Sequence, residues 1–304
     1  MTSRRQFIQS ALATVAITGL NTNIVARNSK ESTKLTILHT NDWHSRIEPF
    51  PLDGGKYQGM GGAERRKILL DKLRKQEKNV LLLDAGDIFQ GTPYFNLYQG
   101  ELEIKLMNEM KYDAVAIGNH EFDAGMDKLA DAMHAAQFNY LCANYDAENT
   151  VLHGKFRCNK IIIFQDIKIG IFGIGIDTKG LIDNKVCEGI KYKDPYIVAN
   201  HQAHILKQSL KCDYVICLSH LGLEYNDSKA SDILLAQRSR NIDLIIGGHT
   251  HTFMDIPICK TNRDNKQVII SQAGWAGIKL GRIDLIFNKK ILSKKTFYKF
   301  ENLG

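Results

Sequence analysis

The chain has 304 residues, 44% of them hydrophobic and 24% charged, with a formal net charge of +7. That balance excludes a disordered, collagen-like or coiled-coil protein, because so apolar a chain buries a large core. Its apolar runs, such as residues 161–164 and 214–218, are far too short to cross a bilayer, and the excess of 40 Lys and Arg over 33 Asp and Glu leaves several anionic partners open.

The first segment reads as an export signal. Arg4-Arg5 stands directly before Gln6-Phe7 and an uncharged stretch from Ile8 to Leu20, and Ala26 offers a small residue for cleavage. The arginine pair resembles a twin-arginine signal, so residues 1–26 are expected to be an address label and the protein periplasmic. No membrane anchor and no lipidated cysteine are expected.

Behind the signal, strands alternate with helices. Lys34–Thr40 is a β-rich run ending in Asn41-Asp42-Trp43-His44. A Gly-rich loop (residues 54–62) leads into a helix with Leu69 and Leu73 on one face. Asn79–Asp84 is an apolar strand ending at Gly86-Asp87. A helix through Ile104–Met110 precedes the strand Ala114–Ile117, which ends at Gly118-Asn119-His120-Glu121. Lys160–Ile176 reads as two strands joined at Gln165-Asp166, and Asp194-Pro195 opens a helix whose apolar residues Ala199, Ala203, Leu206 and Leu210 recur at helical spacing. Tyr214–Leu218 ends at Ser219-His220, and Ile242–Ile246 ends at Gly247-Gly248-His249-Thr250-His251. The stretch from Val268 to Phe297 reads as strands broken at Gly274, Gly277 and Gly281.

Near-continuous apolar strands separated by helices mark an α/β sheet buried on both faces. Length alone suggests about two domains at ~150 residues each, but no linker or repeat divides residues 33–304. None of the six cysteines forms a C-x-x-C pair. They are expected to be buried thiols, with Cys212 and Cys217 on opposite faces of one strand and therefore unbonded. Basic clusters at Arg65-Arg66-Lys67 and from Lys289-Lys290 to Lys294-Lys295 read as solvated faces, without the interleaved aromatics of a single-strand binder; nucleic acid is not expected as a partner.

Five predicted strands each finish with metal-capable groups: Asp42 and His44, Asp87, Asn119 and His120, His220, then His249 and His251. Ligand sites of α/β proteins form where the carboxyl ends of strands open into a crevice. Oxygen and imidazole ligands without thiolate suit Zn, Mn, Co or Fe.

The order D-x-H, G-D-x, G-N-H-E, H and G-H-x-H resembles that of the calcineurin-like metallophosphoesterases. Residues 37–42 (ILHTND), 118–125 (GNHEFDAG) and 218–222 (LSHLG) are similar to the 5′-nucleotidase branch. The resemblance spans roughly residues 34–290. It implies a single catalytic domain (33–304) with a four-layer α-β-β-α sandwich, and two divalent metal ions bridged by Asp87. Asp42, His44 and His251 would complete one site, and Asn119, His220 and His249 the other. Two ions about 3.5–4 Å apart hold phosphoryl oxygens and supply an activated hydroxide near neutral pH. His120 would assist at the leaving group, oriented by Asp123, a residue equally placed to cap a helix.

The chain departs from the pattern in places. Gln90 stands where purple acid phosphatases carry a metal-bound Tyr, and His251 where many 5′-nucleotidases have Gln or Asn. The C-terminal domain that reads the base in similar nucleotidases has no counterpart before Gly304, so substrate-binding residues are not assigned. The expected activity is hydrolysis of a small phosphate ester, a nucleotide first. A 2′,3′-cyclic phosphodiesterase, a UDP-sugar hydrolase and a sulfur-ester hydrolase share the same site chemistry. A reading of another class is a metal-binding subunit whose separately encoded partner supplies the substrate domain.

Overall fold

The computed structural model describes residues 32–288 and 293–304; the segment 1–26 read as an export signal lies outside them, as do Lys289 and Lys290. In chain order the elements are β1 (Ser32–Thr40), α1 (Ala63–Gln76), β2 (Val80–Asp84), α2 (Pro93–Tyr98), α3 (Glu101–Met110), β3 (Ala114–Ala116) and α4 (Met126–Ala135). There follow β4 (Asn139–Leu141), β5 (Tyr145–Asp146), β6 (Asn159–Phe164), β7 (Ile167–Ile174), β8 (Lys191–Tyr192), α5 (Pro195–His204), β9 (Tyr214–Ser219) and α6 (Asp232–Arg238). The last strands are β10 (Leu244–Gly247), β11 (Ile258–Thr261), β12 (Gln267–Ser271), β13 (Lys279–Asn288) and β14 (Ser293–Asn302).

Two six-stranded sheets carry the fold, in the orders β14-β13-β1-β2-β3-β4 and β11-β12-β10-β9-β7-β6. Side chains of a strand alternate between its faces, so each strand feeds two cores. Leu81 and Leu83 of β2 face Ile216 and Leu218 of β9 in the core between the sheets. Leu82 turns outward onto Leu70, Leu73, Ile104 and Met107 of α1 and α3. Val215 and Cys217 turn outward onto Ala199, Ala203 and Leu235 of α5 and α6. Three cores separate four layers, helix–sheet–sheet–helix, in one domain. Truncating a buried leucine such as Leu82 to Ala would cost about 2–5 kcal/mol.

Several local expectations are corrected. The buried stripe of α1 is Ala63, Arg66, Leu70 and Leu73, with Leu69 at its margin. Asp194 caps α5 by accepting a 2.9 Å bond from the Ile197 amide, but residues 205–209 widen into a π turn, which leaves Leu210 39% exposed. Gly281 does not break the last strands; it sits inside β13, where a Cβ would lie 2.0 Å from Nε2 of the buried His39. Cys212 precedes β9, so strand alternation does not apply to it; it shares the outer core with Cys217, and both are free thiols. Cys158 and Cys259 are exposed, against the expectation that all six are buried. Asp123 is not the N-cap of the helix that follows: α4 begins after Gly125.

Candidate metal centre

Parallel pairing sets the ends of the central strands level. In one sheet Thr40 pairs with Asp84, and Asp84 with Val115; in the other Ser219 pairs with Gly247. The segments that follow therefore emerge on one side. They continue to hold one another past the strands: the Asp42 amide donates to the Gly86 carbonyl (2.9 Å) and the His44 amide to that of Asp87 (3.1 Å). Gly118 is required by close approach, since a Cβ there would lie 2.2 Å from Asp87 Oδ1 and 2.8 Å from the His220 ring.

The fold brings every sequence-predicted ligand into this cleft. Ligand atoms of Asp42, His44 and His251 lie within 4.8 Å of one another, as do those of Asp87, His220 and His249, and of His44, Asp87 and His120. Asn119 joins through its Oδ1, 2.9 Å from His249 Nδ1. Asp87 lies between the two halves, with Oδ2 2.9 Å from His220 Nε2 and 4.0 Å from His44 Nε2. Five of these residues hold left-handed backbone: Asp42 (φ 51°), His44 (51°), Asp87 (57°), His249 (71°) and His251 (51°). Such conformations cost about 1 kcal/mol or more each outside glycine, and they cluster where the chain must aim ligands into one space.

The donor set fits divalent cations. His220 Nδ1 lies 2.7 Å from the Ala85 carbonyl, so it carries the proton. That leaves Nε2, buried and 2.9 Å from Asp87 Oδ2, as an atom that either carries a proton or faces a cation. His44 Nε2 and His251 Nε2 meet head-on at 2.9 Å, with Asp42 Oδ1 3.4 Å from the latter. Two acceptors pointed at each other repel unless a cation or proton lies between them. Where no cation sits beside His220 Nε2, a proton is favoured on that atom: burial opposes charge on Asp87 and His220, yet each sustains the other, so the Asp87 carboxyl is held well below the usual range and the His220 imidazole is pushed up to about 10. Burial, then the neighbouring His220, lowers His249 to about 4. Burial likewise lowers His44 against the pull of Asp87 and Asp42.

His120 stands at the rim, its Nδ1 2.7 Å from Asp123 Oδ2. Burial would lower its pKa, but the bond to Asp123 and the charge of Asp87 outweigh burial and raise it. His120 is fixed on the other side by its own amide, which donates to Asp87 Oδ1 at 2.9 Å.

Sequence reasoning left several positioning groups without a role. Glu121 is fully buried and clamps the two central loops: Oε2 accepts from the Gly118 (2.6 Å) and Asp87 (3.0 Å) amides, and Oε1 from the Ile88 amide (2.7 Å). Burial, then the charge of Asp87, pushes its carboxyl up to about 7. Asn41 holds Asp42 through a 2.7 Å bond to Oδ2. The carbonyl of Gln90, the residue that departs from the purple acid phosphatase pattern, lies 3.2 Å from His44 Nδ1. Trp275 stacks on His251. Glu121 and Asn41 carry a sequence signal, as members of the G-N-H-E and ILHTND runs, whereas Trp275 carries none.

Residues 35–253 match the family described as calcineurin-like phosphoesterase. A 5′-nucleotidase from the venom of Crotalus adamanteus is 34% identical over 279 residues, which is 85% of this chain and 46% of that protein. The chain thus spans about half the length of the curated relatives it matches. Among solved structures, a 5′-nucleotidase precursor from Thermus thermophilus superposes with a TM-score of 0.78 at 33% identity, over 89% of this chain and 55% of that one. The calcineurin-like phosphoesterase YfkN from Bacillus subtilis superposes at 0.72 and 27% identity, over 90% of this chain and 91% of that one.

Proposed function

The chain belongs to the calcineurin-like phosphoesterase family of metal-dependent phosphoester hydrolases, and from that premise we propose that it hydrolyses nucleotides to nucleoside and phosphate at a dinuclear centre. The observation that carries the reading is the convergence of seven O- and N-donors, with His220 Nε2 buried 2.9 Å from the shared carboxylate of Asp87. Asp42, His44 and His251 would hold one ion and Asn119, His220 and His249 the other, with Asp87 shared. Two divalent ions bound there would supply positive charge for the phosphoryl oxygens and acidify water.

The remaining chemistry belongs to the chain. Asp123 accepts the Nδ1 proton of His120 and favours the imidazolium, so Nε2 carries a proton towards the bound ester. As the bond from phosphorus to the leaving oxygen breaks, His120 Nε2 delivers that proton to the oxygen, which departs as a neutral alcohol. Glu121 and Asn41 keep the ligand loops in register during this exchange. Among the described residues no helix is long and apolar enough to cross a membrane. The Arg4-Arg5 segment supports export to the periplasm as the site of action.

The test combines metal analysis of the purified protein with phosphate release from mononucleotides, cyclic nucleotides and sugar nucleotides. A sulfate ester serves as a further substrate. Two ions per chain and release from mononucleotides, lost with EDTA and restored by Zn or Mn, are expected. Metal-loaded protein that releases phosphate from none of them refutes the proposal.

A further inference from the structure

On its His251 side the metal centre is bordered by rings that hold no metal. The Trp275 indole lies parallel to the His251 imidazole, planes 4° apart and centroids 5.4 Å apart, and its centroid is 6.5 Å from that of His44. Phe50 and Tyr57 cross the indole steeply with centroids at 5.7 and 6.2 Å, and Tyr57 stacks on Phe253 at 5.7 Å. All four rings are half-buried, and none belongs to the three cores. The loop that presents Phe50 and Tyr57 is closed by its own backbone: the Phe50 amide donates to the Met60 carbonyl (2.9 Å), the Gly59 amide to the Phe50 carbonyl (2.9 Å) and the Met60 amide to the Tyr57 carbonyl (3.0 Å). Aromatic surface left at the lip of a polar cleft gains from being covered.

We propose that Phe50, Tyr57, Phe253 and Trp275 form a stacking platform for the nucleobase of an ester whose phosphate the metal centre holds; the inference rests on the phosphoesterase reading above. The placement follows from His120. Its ring and that of Trp275 both approach His44, with centroids 5.2 and 6.5 Å away. A leaving group that takes its proton from His120 and lies across His44 would reach the indole. Charge suits the same ligand. Arg46 lies 4.4 Å from the Phe50 ring centre, Lys56 5.0 Å from that of Tyr57 and Lys279 5.8 Å from that of Phe253. Lys279 is paired with Asp255 at 2.7 Å, so the positive rim rests on Arg46 and Lys56, and the exposed Lys56 is free to leave the Tyr57 face to an entering base. A cavity of about 290 Å³ that His249 helps to line, with Lys179, Lys229, Tyr192 and Tyr225, competes for the role.

The chain carries two tryptophans, and Trp43 is buried under Arg66, so emission changes on ligand binding report on Trp275. The metal-loaded full chain, in inorganic phosphate, is titrated with adenosine and with ribose, while hydrolysis of AMP and of ribose 5-phosphate is followed in parallel. Stacking on an aromatic side chain is worth about tenfold or more in affinity. Adenosine is expected to quench saturably and ribose not. Tyr57→Ala is expected to lower kcat/KM for AMP about tenfold more than for ribose 5-phosphate, and Tyr57→Phe to restore it. Equal responses to adenosine and ribose, equal losses on both esters, or a base preference that follows Lys179→Ala instead of Tyr57→Ala each overturn the platform. Adenosine-specific quenching without phosphate release from either ester sustains the platform and refutes the phosphoesterase reading.

Discussion

Replacing Glu121 by Gln isolates the clamp between the Asp87 and Gly118 loops. The carboxylate accepts three backbone amides, at 2.6, 2.7 and 3.0 Å, in a fully buried position. A carboxamide has one oxygen. If it serves Gly118 and Asp87, its NH2 group confronts the Ile88 amide, donor against donor. The loss is one charge-assisted bond plus an unsatisfied buried amide, about 3 kcal/mol in all. For a domain of this size that lowers Tm by about 6–12 °C. Because the Asp87 and Gly118 backbones carry the bridging carboxylate and Asn119, metal affinity should fall about 10–100-fold. Glu103 provides the contrast. It is also fully buried, but its oxygens clamp no second loop, with the Ser45 hydroxyl and its own amide as the donors close by. Burial raises its pKa, and Glu103→Gln should be neutral or stabilising. Thermal unfolding and competitive metal titration of both variants decide the matter. Wild-type Tm and metal affinity in Glu121→Gln would refute the clamp.

The catalytic and stability roles of other residues follow from the same geometry. His120→Ala should cut kcat about 10²–10⁴-fold on a phosphomonoester while metal content stays intact; full turnover would remove His120 from the reaction. Asp123→Asn takes away the group that raises the His120 pKa, so the acid form is lost at lower pH and the basic limb of kcat/KM should move down; an unmoved limb refutes the pairing. His39 is buried beneath Gly281, and burial lowers its pKa from 6.5 to about 3. Below pH 6.5 the unfolded chain takes up a proton that the fold refuses, so this group costs stability as pH falls towards 3. At pH 5 the cost is about 2 kcal/mol relative to pH 8. Urea unfolding of wild type and His39→Gln should converge on acidification by that amount, and parallel pH curves would exclude it.

The candidate site was legible to an unusual degree because its ligands are tied to strand ends. An apolar run of five or six residues that stops at Asp, Asn or His marks both a strand and the place where its loop begins. The pairing of Thr40 with Asp84 then guarantees that neighbouring loops open together. Boundaries fared less well, and for local reasons. The π turn after α5 shifts Leu210 out of the helical stripe, which spacing alone does not foretell. Gly281 reads as a break because glycine weakens strands in general, whereas here it makes room for the His39 ring. Strand parity assigns Cys212 to a face, but it lies outside the strand.

The sequence by itself determined the class of chemistry: which donors exist, their order, and their attachment to strands that must lie parallel and buried. The tertiary structure decided what those donors can do. Strands β1 to β3 and β9 to β10 lie in different sheets, packed face to face through the core between them. No local rule brings Asp42 within reach of His251, 209 positions later in the chain. Packing of two twisted sheets sets that distance, and with it the head-on approach of His44 and His251. The same packing carries Trp275 from beyond the last motif to the edge of the cleft. Contacts made across so long a chain depend on every intervening layer, and one-dimensional patterns hold no record of them.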